Sequence, residues 1–221
     1  MSSPLQELFD RLRDGLNTLR QKLNFNRDHY YLTAEYEPVL NVLTPGIAWT
    51  VKGRYGETLV TRNLGVWDVD DWATDKDCDV IDRLHRVLDF LPAADGYRFR
   101  IYRTLGGLRV ICTNRTVAYG DAISMAWFKD IGSKLLADHR YMAICGRQLC
   151  SRARLDPKPD QFRLDIGVEK ESLLVKAQAG QVRACCFIGE VGTGEIHPDL
   201  AQQIELHDRS TEALDSTKEL F

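Results

Sequence analysis

The chain has 221 residues, 44% hydrophobic and 28% charged, enough to bury a core without help from disulfides. A net charge of −3 excludes a globally basic surface of the kind that draws nucleic acid from a distance, and leaves room only for a local basic groove. No apolar run approaches the roughly 18 residues of a membrane span, and the N-terminus lacks the basic and apolar regions of a secretory signal, so a cytoplasmic protein is expected.

Residues 4–24 read as a helix. Ser3 can cap it and Pro4 suits its first position. Leu5, Leu12 and Leu19 fall seven apart, as do Phe9, Leu16 and Leu23, which makes an a/d seam. Such a seam serves packing within the chain or self-association through residues 4–24. Residues 25–64 alternate apolar and polar side chains as strands do, with "GRYGE" as a hairpin turn. Its second arm, Thr58 to Asp70, runs on into the acidic stretch "GVWDVDDWATDKDCD". Residues 79–91 keep one apolar face as a helix that stops at Pro92.

"YRFRIYRTLGGLRVICTNR" gives two strand-like arms around Gly106-Gly107, a hairpin or a glycine-broken pair. Residues 121–139 have helical periodicity, with Gly132 weakening the middle. A strand is expected over 141–155, ended by prolines, then short strands over 162–191, a loop at "GTGEIHP" and helix or coil to a fraying end. The expected fold is α+β: a mixed or antiparallel central sheet flanked by helices, with an N-terminal amphipathic helix. Its divisions are 1–24, a core over 25–160, and a strand-and-helix extension over 161–221 packed on that core.

The acidic stretch carries the chemistry. Carboxylates are costly to bury without partners, yet Asp68, Asp70 and Asp71 lie among Val66, Trp67, Val69 and Trp72. Residues at i and i+2 of a strand share a face, so Asp68 and Asp70 can converge on one divalent cation. Asp138, from another element, would complete an oxygen-rich set suited to Mg²⁺ or Mn²⁺. The alternative is a strand end and turn, with Asp77 or Asp79 capping the next helix.

The basic residues leave two readings open as well. Arg103 and Arg109 can grip phosphates while Gly106 and Gly107 admit a ligand to the backbone; Gly-Gly is equally a hairpin signal. Arg98 and Arg100 line a solvated strand face or pair with the acids. Arg152, Arg154 and Lys158 suit phosphates of a nucleotide or a nucleic-acid strand, or a surface ion-pair network.

The six cysteines suggest reduced, mostly buried thiols, and their spacing is not that of zinc knuckles. His207-Asp208 lacks the spaced partners of a phosphohydrolase and reads as helix surface. No Gly-x-Ser-x-Gly nucleophile motif is present.

"VWDVDD" is similar to the hydrophobic-Asp-hydrophobic-Asp motif of the archaeo-eukaryotic primase superfamily, and a helix and a Gly-containing strand pair follow it as in that family. "TLGGLRV" stands where the family has a small-residue loop and a histidine, with Arg109 in the histidine's place. "LLADHRY" offers the further acid, Asp138, and "SRARLDPKP" resembles the family's basic strand. The resemblance spans residues 58–160. It implies a divalent-metal site on Asp68, Asp70 and Asp138, with Arg109 beside it. It also implies binding of nucleotide or nucleic acid, and nucleotidyl transfer. The pattern "YRT…GG.R", "PKP" and "G.G…HP…HD" also resembles bacterial and phage proteins of unassigned activity. Arg109 in place of the histidine leaves a rival reading, a catalytically inactive binding or assembly protein on the same scaffold. A small-molecule enzyme is the third.

Overall fold

A computed structural model describes residues 37–53, 56–70, 77–89, 96–104, 106–157 and 181–220, all within a unit that spans Glu37–Phe221. The expected helix at 4–24, Asp71 and Lys158 lie outside the described residues. The fold is α+β. Among the described residues, two four-stranded antiparallel sheets are packed with four helices.

The first sheet has the order β1-β2-β3-β7, formed by β1 (Val39–Thr44), β2 (Ala48–Gly53), β3 (Gly56–Thr61) and β7 (Ser151–Arg154). The second has the order β4-β6-β5-β9, formed by β4 (Leu64–Asp70), β5 (Arg98–Thr104), β6 (Gly107–Thr116) and β9 (Cys185–Gly192). A short parallel pair joins β8 (Val182–Arg183) to β10 (Glu219–Leu220), so the chain end expected to fray is held in a ladder.

The long arm expected from Thr58 to Asp70 is instead broken. Arg62 and Asn63 turn the chain out of the first sheet and into the second. Hydrogen bonds hold the corner. Thr61 Oγ1 donates to Gln203 Oε1 at 2.6 Å, and Gln203 Nε2 donates to Asn63 Oδ1 at 2.8 Å. Buried polar groups must be paired in this way to be tolerated.

The helices are α1 (Asp77–Asp89), α2 (Ala122–Leu135), α3 (His139–Gln148) and α4 (Pro198–Ser210). The strand expected over 141–155 is a helix for most of its length. Asp138 caps it, and Tyr141, Met142 and Cys145 bury one face at helical spacing. Only Ser151–Arg154 is strand. Tyr141 explains how this edge strand is sealed: its Oη donates to the Arg152 carbonyl at 3.0 Å and accepts from the Arg152 N–H at 3.1 Å.

Gly132 does not interrupt α2. A Cβ there would lie 2.0 Å from Met142 Sδ and 3.0 Å from Trp67 Cδ1, so the glycine is what lets α2 approach β4 and α3. Trp67 stacks on Phe128 at 4.9 Å and donates its indole N–H to the Phe128 carbonyl at 3.0 Å.

The second sheet is covered on both faces. Trp67, Val69, Phe99 and Val110 meet α1, α2 and α3 on one side. Leu64, Val66, Tyr102 and Ile111 meet α4 and the first sheet on the other. Within the described residues 181–220, β9 pairs with β5 and α4 closes a face of this core.

Candidate functional site

Alternation along β4 answers why acids sit among apolar residues. Trp67 and Val69 point into the helix-side core, so Asp68 and Asp70 share the opposite face with Val66. Neither acid is fully buried. The register sets Asp68 opposite Arg109 and Asp70 opposite Gly107 of β6.

Arg109 is 7% exposed and joins four elements. Its Nε donates to Asp68 Oδ1 at 3.0 Å, and its Nη1 donates to the Arg154 carbonyl of β7 at 2.9 Å. The same Nη1 stands 3.4 Å from His207 Nε2 of α4. Burial alone would lower the pKa of this guanidinium, but the Asp68 carboxylate opposite raises it. The arginine is thus a fixed buried cation, matched by the half-exposed Asp68.

Asp138 reaches β4 through its backbone. Its N–H donates to the Asp68 carbonyl at 2.8 Å, while its carboxylate caps α3 by accepting from the Arg140 N–H at 2.8 Å. The three acids therefore come to one edge of the sheet, with one carboxylate engaged by Arg109 and one by a helix cap. Among the described residues no group of three or more His, Cys, Asp or Glu side chains is arranged to hold a metal ion.

The remaining predicted residues separate. Gly106 and Gly107 form the tip of the β5–β6 hairpin, where Thr104 pairs with Gly107. Gly107 has φ +149°, a conformation that favours glycine. Arg103 pairs with Leu108, which packs on the helix side, so it lies on the face opposite Arg109. Arg152 and Arg154 are two apart on β7 and share a face, as expected. The Arg152 guanidinium is paired with Glu37 and only 5% exposed; Arg154 is half-buried.

The residues that sequence reasoning missed are on α4 and β5. His207 and Asp208 are not helix surface: His207 is 0% exposed and Asp208 is 7% exposed. His207 Nδ1 lies 3.2 Å from Asp208 Oδ1. The same oxygen accepts from Tyr102 Oη at 2.7 Å, and Asp208 Oδ2 accepts from Arg100 Nη1 at 2.5 Å. Arg100 Nε donates to Glu190 Oε1 at 2.6 Å, and Arg98 also pairs with Glu190. A signal was available in the sequence. Leu200, Ile204, His207 and Thr211 recur at helical spacing, which places the histidine on the buried stripe.

The result is a continuous chain of charge: Asp68, Arg109, His207, Asp208, Arg100, Glu190 and Arg98. Three carboxylates meet three guanidiniums, with an imidazole between. Burial lowers the His207 pKa, opposed by its hydrogen bond to Asp208 and helped by Arg109. Burial with the Asp208 carboxylate pushes the Tyr102 phenol well above its ordinary range, so it donates. Burial alone would raise the Glu190 carboxyl, but hydrogen bonds from Arg98 and Arg100 hold it below its ordinary value. Beside the Asp208 end an open cleft of about 510 Å³ follows α4, lined by Arg100, Ile204, Glu205, Asp208 and Leu214 among others.

Cys112, Cys145, Cys150 and Cys185 are buried free thiols. Burial pushes the Cys112 thiol up to about 12, which disfavours the nucleophilic thiolate. No helix among the described residues is long and apolar enough to cross a membrane. Compared with protein-family models, with curated proteins and with solved structures, the chain matches none of them.

Proposed function

We propose that this protein binds a nucleotide or a nucleic-acid strand at the edge of the second sheet where Asp68, Asp70, the Gly106-Gly107 tip and Arg109 meet, without nucleotidyl transfer. The observation that carries the reading is the register pair of Asp68 and Arg109. An acid that would have to coordinate a metal instead accepts a hydrogen bond from a buried guanidinium. A ligand phosphate arriving there competes with Asp68 for an arginine already held in place, and the glycine tip leaves its backbone open to approach.

A second reading is favoured by one observation. Asp68 and Asp70 share a face, and Asp138 abuts the same strand. In that reading Asp68 and Asp70 hold Mg²⁺ or Mn²⁺, which would neutralise charge on a transferring phosphoryl group.

The test is binding of labelled nucleotide and a labelled single-stranded oligonucleotide, with and without Mg²⁺ or Mn²⁺, for wild type and Asp70→Ala. The first reading expects salt-sensitive binding that needs no divalent ion, persists in Asp70→Ala and shows no turnover. Metal-dependent turnover abolished by Asp70→Ala would replace it with the second. Binding of neither ligand by the wild type would end both.

A further inference from the structure

We propose that His207 is a proton-operated latch on the Arg109–Asp68 pair: its neutral ring holds Arg109 against Asp68, and a second ring proton expels Arg109 and frees the Asp68 carboxylate. The inference rests on the hydrogen-bond geometry and stands whatever ligand the acids take.

The donor inventory fixes the state of the ring. A guanidinium has only donors, so His207 Nε2, 3.4 Å from Arg109 Nη1, must present its lone pair. A carboxylate has only acceptors, so Nδ1, 3.2 Å from Asp208 Oδ1, must carry the hydrogen. The resting ring is therefore neutral, with its proton on Nδ1. A proton added at Nε2 removes the acceptor that Arg109 uses and sets two cations together in a fully buried place, where their repulsion is little screened.

Every neighbour bears on this balance. From β6 comes Arg109, and from β4 Asp68 behind it. From β5 come the Tyr102 ring, 4.7 Å away, and Arg100 through Asp208. From β9 comes Cys185, near both Arg109 and Asp208, and from β7 the Arg154 carbonyl on Arg109. Asp208 favours a protonated ring, while Arg109 and burial disfavour it. Asp208 is held by two other donors, Tyr102 Oη and Arg100 Nη1, and cannot follow Arg109. The mobile partner is the arginine, because the acid at its far end is half-exposed and can be hydrated when released.

The sign follows from the lowered ring pKa. The latch is closed at and above the ordinary histidine range, near pH 6.5, and opens only below it. Acid therefore both frees Asp68 and reduces stability.

The test follows the Arg109 Nε–H and the His207 ring nitrogens by ¹⁵N NMR on the full chain from about pH 7.5 to about pH 4.5, with β6 amides as the control for folding. At neutral pH the ring should show a bare Nε2 and a protonated Nδ1. As pH falls toward the ring midpoint, the protection of the Arg109 Nε–H, its exchange with water relative to an unprotected guanidinium at the same pH, should fall by up to about tenfold per pH unit, the one-proton limit, and level off below the midpoint. Guanidinium exchange is base-catalysed, so the raw rate is divided by the intrinsic rate at each pH. His207→Gln keeps an acceptor and a donor with no titration, and should abolish the pH-dependent loss of protection. A protonated Nε2 at neutral pH, an Arg109 protection that ignores the ring midpoint, or the same loss of protection in His207→Gln would each overturn the latch. If His207→Gln does not fold, the wild-type midpoints decide: coincidence supports the latch and separation refutes it. Failure of nucleotide binding leaves these outcomes unchanged.

Discussion

Asp68→Asn separates the two readings of the β4 acids without any ligand. The asparagine keeps an oxygen that can accept from Arg109 Nε but removes the negative charge. Arg109 is 8% exposed on its side chain, while Asp68 is 36% exposed. Breaking a fully buried pair costs about 3–5 kcal/mol, and an exposed pair gives about 0.2–1 kcal/mol. With one partner in the core and the other at the rim, a loss of about 2 kcal/mol is expected. Urea unfolding should show a lower midpoint with an unchanged slope. A double-mutant cycle with Arg109→Met should return a coupling of about 1 kcal/mol or more. Acids clustered to receive a cation repel one another when the cation is absent, so neutralising one of them would stabilise the protein. A stability gain in Asp68→Asn, or a change within about 0.5 kcal/mol, would therefore refute the paired reading.

Gly132→Ala should destabilise by about 1–2 kcal/mol by urea unfolding, because overpacking costs about 1–3 kcal/mol and helix propensity returns about 1; adding Met142→Ala should relieve much of the steric part. Tyr141→Phe leaves the N–H and C=O of Arg152 without their shared partner, and a loss of about 2 kcal/mol is expected with the Cys150–Arg154 amides exchanging faster. Glu190 and His207 both have lowered folded-state pKa values, so each contributes stability above its unfolded value that is lost as pH falls through the folded one. Stability should fall in acid below about pH 6.5 and again below about pH 4.5. Glu190→Gln should flatten the second step and leave the first.

The α+β class, the β5–β6 hairpin, α1 and the shared face of Asp68 and Asp70 were legible because period and turn chemistry are local. The break at Arg62-Asn63 was not, since alternation continues smoothly through it and only Gln203, 140 residues away from Asn63, marks the corner. Residues 141–148 were read as part of a strand over 141–155, although Tyr141, Met142 and Cys145 recur at helical spacing. The Asp138 cap that decides for helix had been assigned to a metal. Gly132 was legible as a propensity defect but not as clearance for Met142. Arg109 was singled out for its place in a motif, yet its partners come from β4, β7 and α4, three elements with no common local signal. His207 could have been found from the α4 stripe, had the stripe been allowed to contain a polar residue.

The corner at Arg62-Asn63 has a mechanical consequence. One uninterrupted run of backbone serves both sheets, so β3 and β4 act as the two arms of a bent lever whose fulcrum is pinned by Thr61, Asn63 and Gln203. Arg109 bridges the far ends, from Asp68 on one arm's sheet to the Arg154 carbonyl on the other's. Shear between the sheets must therefore either break the corner or stretch the arginine. The spacing across the edge is set like the jaws of a vice, and loosening Arg109 is the step that would let them slide.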